Sequence, residues 1–187
     1  MSVMALPKLG GRKTEVQSMV RKIAIVSREL KYKAKLQNAT YRLVIQAVPP
    51  PEEFETEPTD LKNQFWVEKA PGSVILSNDP EEEDEDDDDE DGQAPPDPNG
   101  FIMDQKILKE PEKLPEGMIF ERIELANQKE PITEGIVYIY FLPEGFVNES
   151  AIHLEFGEKL HWTIAIHPLT GRADIFDEDV SLDTLRQ

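Results

Sequence analysis

The stretch from Gly135 to Phe176 most constrains the fold. It is a series of short runs rich in Ile, Val, Tyr and Phe, each closed by a Gly or Pro. Ile152, Leu154 and Phe156 alternate with His153 and Glu155. Trp162, Ile164 and Ile166 alternate with Thr163, Ala165 and His167. β-Branched and aromatic residues suit a pleated, half-buried surface, and a period of two buries one face of a strand. The stretch is therefore expected to form an antiparallel meander. Its sheet should be the core, with His153 and His161 turned outward to water. Pro168-Leu169-Thr170-Gly171 reads as a tight turn before a last strand ending at Phe176, and Asp177 to Gln187 as a polar tail.

Upstream the period changes. Val16, Met19, Val20, Ile23, Val26, Leu30 and Ala34 recur at steps of three and four, the apolar face of a helix. The pattern predicts a helix from about Glu15 to about Gln37, with Thr14 as its N-cap and a length of roughly 35 Å. From Met1 to Gln37 there are nine Lys or Arg against two Glu, although the whole chain carries a net charge of −18. The polar face of this helix is thus basic on an acidic protein. It is either a solvated face or one that meets an anionic membrane surface or an acidic partner.

Thr40 to Ala47 reads as a strand with Tyr41, Leu43 and Ile45 on one face, stopped by Pro49, Pro50 and Pro51. Residues 52–63 read as polar linker. Phe65 to Glu68 reads as a short strand pairing at an edge with the first. Lys113 to Gly117 reads as a turn, and Met118 to Ile123 as a further strand. Glu81 to Asp91 is eleven consecutive carboxylates flanked by Pro and Gly. Such a run has no apolar surface with which to offset its ordering entropy. Residues 76–103 are therefore expected to be a disordered polyacidic insertion. The parts sum to an α+β domain, a long amphipathic helix packed on antiparallel sheet, spanning residues 12–187.

Composition excludes several classes of function. The negative field disfavours nucleic acid, which is held by Lys and Arg. The absence of cysteine removes disulfides, thiolate metal sites and Cys nucleophiles. No apolar run approaches the ~18 residues that read as a bilayer span. No nucleophile elbow, phosphate-binding loop or His-Glu-x-x-His motif is present, so no enzyme activity and no cofactor are expected. His153 and His161 on neighbouring strands could approach each other with Glu155 or Glu158 nearby. The spacing matches no ligand motif, and no metal site is expected there. The carboxylate run lacks the fixed turn and carbonyl ligands of a calcium loop. Trp66, Trp162, Tyr138 and Tyr140 are expected to pack, not to form a ligand platform.

The order of parts resembles a known family. It is a long N-terminal helix running into Tyr-Arg-Leu-Val (within Ala34 to Ile45), then a Leu-Pro-Glu-Gly turn before a strand (Leu114 to Phe120). Next comes Phe-Leu-Pro-Glu-Gly (Phe141 to Gly145), and last a Thr-Gly-Arg hairpin (Ile166 to Ile175). This set resembles the H-type minor pseudopilins of type II secretion and the related pseudopilins of type IV pilus assembly. Members of that family begin with a peptidase-cleaved leader and an apolar helix. Neither is present here, and residues 1–11 look like the segment just after that helix. The resemblance implies a chain either trimmed to its soluble part or begun at a late start codon. It also implies a non-enzymatic head in the periplasm, anchored to the inner membrane only through that missing helix. Other minor and major pseudopilins and secreted cargo would be its partners. On that reading the basic helix face, Arg21, Lys22, Arg28, Lys31 and Lys35, contacts neighbouring subunits. The competing expectation is a soluble acidic protein-binding module in the cytosol.

Overall fold

The computed structural model describes residues 9–50, 61–74, 100–157 and 159–186. The fold is α+β, with the N-terminal helix packed on antiparallel sheets. Helix α1 (Leu9–Gln37) ends at Asn38, whose φ of 48° is left-handed, and the chain turns at once into β1 (Ala39–Ala47). Asn tolerates that conformation and is a common residue just past a helix end. The helix begins earlier than its apolar pattern, so Thr14 lies inside it and is not its N-cap. All seven residues of the apolar face are buried.

Two sheets form, not one. In the first, β1 is central. It pairs with β2 (Gln64–Pro71) on one side and β6 (Gly135–Phe141) on the other. The short strands β3 (Ile102–Met103) and β4 (Glu112–Lys113) cover the outer edge of β2. Strand β2 is thus longer than expected and is not left as an edge. In the second sheet the order is β5 (Met118–Leu125), β7 (Ser150–Phe156), β8 (Leu160–Ile166), β9 (Ala173–Phe176). The expected meander therefore holds for β7 to β9 only. The run at Gly135 leaves it and pairs with β1, Ile139 facing Leu43 and Val137 facing Ile45. The turn after Phe141, closed by Leu142 N donating to Phe146 O (2.8 Å), carries the chain from one sheet to the other.

Helix α1 packs on β1 and β6 of one sheet and on β8 and β9 of the other. One core lies beneath it, containing Ile23, Leu30, Leu43, Phe65, Phe120, Ile152 and Trp162. Asn63, placed in a linker by sequence, joins the two sheets. Its Oδ1 accepts from Val48 N (3.1 Å) and Phe120 N (3.2 Å), and its Nδ2 donates to Val48 O (2.8 Å).

Most of the expected insertion, with its carboxylate run, lies outside the described residues. Its C-terminal bound is corrected: Phe101 is buried and Ile102–Met103 is strand, so these residues belong to the fold. The buried Asp104 holds this return, its backbone N donating to Val67 O (2.9 Å). The tail after Asp177 is also folded. A single-turn helix α2 (Leu182–Leu185), capped by Ser181, buries Leu182.

Candidate functional site

Three surfaces carry the chemistry of this fold. The first is the solvent side of α1. At 100° per residue, Arg21, Ile25, Arg28, Tyr32, Lys35 and Leu36 share an arc of about 100° opposite the core. Ile25, Tyr32 and Leu36 are 55%, 67% and 66% exposed, so apolar side chains alternate with cations along the outer face. Of the five cations expected to meet a partner, Arg21, Arg28 and Lys35 lie on this arc and are exposed. The other two flank it and bind the protein's own strand β4 and the turn at Leu169. Lys22 Nζ lies 2.6 Å from Glu112 Oε1, and Lys31 Nζ donates to Leu169 O. Burial, and then the charge of Lys35, lower the Lys31 pKa.

The second is the outer face of the first sheet. Arg42 is buried between two rings, its guanidinium carbon 3.9 Å from the Phe101 centroid and 4.1 Å from that of Tyr138. Its Nε donates to Glu68 Oε2 at 2.6 Å, and Trp66 Nε1 donates to Glu68 Oε1 at 2.6 Å. Phe101 also meets Tyr140 at 6.0 Å. The cation satisfies its own carboxylate and packs its own aromatics, which staple the returning chain at Phe101 onto β2, β1 and β6. Trp162 lies in the main core.

The third is the outer face of the second sheet. Phe120 pairs with Leu154 and Ile123 with Ile152, both inward. Two residues, Glu121 and Arg122, stand between them where a period of two allows one. The bulge turns both outward. Arg122 Nη2 reaches Asp179 Oδ1 at 2.5 Å and Nε lies 3.4 Å from Glu124 Oε1. The expectation of an outward, solvated His153 fails, because the tail lies over it and leaves it 1% exposed. Its Nδ1 is 2.8 Å from Asp179 Oδ1, and its Nε2 is 3.0 Å from Glu124 Oε1. Burial, and then Arg122, lower its pKa against the pull of Glu124 and Asp179. Thr163 Oγ1 donates to Glu178 O (2.8 Å) and accepts from Val180 N (3.0 Å). Leu182 N donates to Glu124 Oε2 (2.8 Å). This network ties down the tail.

His161 is apart from His153, on the far side of the bulge, 3.4 Å by Nδ1 from Glu121 Oε2. Glu155 faces it across the ladder, while Glu158 lies outside the described residues. Glu121 belongs to no motif of the sequence and was not expected at a site. A depression of about 480 Å³ lined by Gln64, Glu110, Pro111, Glu112 and Lys113 holds no nucleophile–base pair. Among the described residues no helix is long and apolar enough to cross a membrane. The chain matches no family model, no curated protein and no solved structure in the comparisons made with it.

Proposed function

We propose that this chain is the head of a minor pseudopilin, a structural subunit at or near the tip of a type II secretion pseudopilus that aids protein export across the outer membrane. It performs no covalent chemistry. One observation carries the reading: α1 buries one face in two antiparallel sheets and offers the opposite face, Arg21, Ile25, Arg28, Tyr32, Lys35 and Leu36, to solvent. A helix that is only a core element has no need of three large exposed apolar residues in register with cations. A helix that packs against sister helices does. Lys22 and Lys31 play a different part, holding α1 to its own domain.

The experiment is association with the other minor pseudopilin heads of the same organism, followed by calorimetry. Arg21→Glu, Arg28→Glu and Lys35→Glu together should weaken binding at least tenfold. Being exposed, they should each shift stability by no more than about 0.5 kcal/mol. No association of the unmodified head with any sister subunit overturns the reading. So does an upstream reading frame that encodes a stop codon directly before Met1 in place of about twenty apolar residues, and that outcome favours the cytosolic acidic module.

A further inference from the structure

The outer face of the second sheet holds one cluster that neither the fold nor the proposed function uses. Glu121, Glu155 and His161 stand on the three adjacent strands β5, β7 and β8, and their candidate ligand atoms all lie within 4.8 Å of one another. From this geometry we propose a site for one Zn²⁺ ion, bound by Glu121, Glu155 and His161 with water completing the shell.

Three features argue for it. Glu121 lies in the β-bulge, on the outer face and beside the Glu155–His161 pair of the neighbouring strands. Arg122 Nη1 sits 3.4 Å from Glu121 Oε1, so the carboxylate is braced through one oxygen. The other oxygen, Oε2, and His161 Nδ1 are both buried atoms that make no hydrogen bond. Buried polar atoms ordinarily find partners. Here the two atoms have only each other, as an ion pair at 3.4 Å without hydrogen-bond geometry. Donors about 2.1 Å from a tetrahedral Zn²⁺ are themselves about 3.4 Å apart, so this pair already has the bite that the ion requires. Glu155, half-buried, completes the set by a small side-chain movement.

The donor set selects the ion. One imidazole nitrogen and two carboxylate oxygens suit Zn²⁺. Ca²⁺ takes six to eight oxygen ligands, and Mg²⁺ keeps a hydrated octahedron. The ion would clip β5, β7 and β8 together on the face opposite the core. This site does not touch the helix face, so the two proposals fail or stand separately.

The carboxylate run of residues 81–91 also attracts divalent cations, and the test separates the two. Full-length protein is stripped with chelator and titrated with ZnCl₂ at 0.15 M NaCl, with histidine ring signals followed by NMR. The chain has three His. One equivalent of Zn²⁺ should shift or broaden the His161 ring and leave His153 and His167 in place. CaCl₂ at the same concentration should move none of them. In calorimetry, His161→Ala and Glu121→Gln should each weaken the one-equivalent Zn²⁺ event at least tenfold. The weak background from the carboxylate run should stay unchanged. A His161 ring that does not respond to Zn²⁺ in the unmodified protein overturns the proposal. So does a one-equivalent event of equal affinity in His161→Ala.

Discussion

The turn at Pro168–Gly171 offers a sharp test of how α1 is seated. Gly171 has φ of +59°, a conformation that costs an L-residue roughly 1–2 kcal/mol. It is also buried against the helix. A Cβ built there would stand 2.9 Å from Lys31 Cβ and 3.1 Å from Lys31 Cγ, and closer still to Cδ. The Lys31 Cβ belongs to the helix and cannot swing away, so either the turn or the helix must move. Overpacking of this kind typically costs about 1–3 kcal/mol. Gly171→Ala should therefore lose about 3 kcal/mol, a value within the summed ranges. For a chain of this size that is about 6–12 °C in Tm.

A double-mutant cycle separates the two causes. Lys31→Ala alone removes the hydrogen bond to Leu169 O and should cost about 1 kcal/mol. In the pair, the contacts from Cγ and Cδ vanish while the backbone strain and the Cβ contact remain. The double variant should thus be about 1 kcal/mol more stable than the sum of the two losses. Urea denaturation at neutral pH gives all four values. A Gly171→Ala loss below about 0.5 kcal/mol would refute the left-handed, packed turn. A cycle that closes additively would show that the turn and the helix do not touch.

Three other outcomes rest on contacts of the same kind. Tyr41 is fully buried, with its hydroxyl 2.9 Å from Gln37 Oε1 and 3.3 Å from Asp104 Oδ2. Burial first, then the charge and hydrogen bond of Asp104, push its pKa up to about 12. Its folded pKa is above its unfolded value, so the stability it contributes is complete below pH ~10 and is lost between about 10 and 12. That is about 3 kcal/mol at 1.36 kcal/mol per pKa unit. Tyr41→Phe should lack this alkaline loss in denaturation curves, and an identical loss in the variant counts against it. Ile23→Asp places an unpaired charge in a site 1% exposed and should cost about 3–5 kcal/mol. Circular dichroism melts read this, and an unchanged Tm would mean that the face is open to water. Replacing residues 76–99 with a short Gly/Ser link should leave the melt nearly unchanged. Extending the deletion to Met103 removes buried Phe101 and β3 and should cost about 3–5 kcal/mol. Equal melts for the two deletions would contradict the docking of Phe101 on Arg42 and Tyr140.

The helix was the most legible element, because one period of 3.6 was sustained from Val16 to Ala34 and all of that face is buried. The sheet assignment of Gly135–Phe141 was not legible from local pattern. The run Ile-Val-Tyr-Ile-Tyr-Phe is apolar on both faces, which signals a strand covered on both sides but does not name its neighbour. Pairing with β1, about a hundred residues earlier, is a long-range choice. It is settled by Val137, Ile139 and Phe141 completing the layer beneath α1.

The polar side of the second sheet misled for a different physical reason. Period two says which way a side chain points, not whether something lies above it. His153 does point away from the core, yet a tail rich in carboxylates covers it. A polar cover leaves no apolar signature in sequence and is held by hydrogen bonds that Glu124 accepts and that Thr163 both donates and accepts. The bulge at Glu121 did leave a trace. Met118, Phe120, Ile123 and Leu125 step by two, then three, then two, and the step of three marks the extra residue. Reading that step as an ordinary strand position sends Arg122 into the core. Reading it as an insertion places both Glu121 and Arg122 outward. The extra residue turns Arg122 outward against Asp179, while Glu121, outward in either reading, lies against His161.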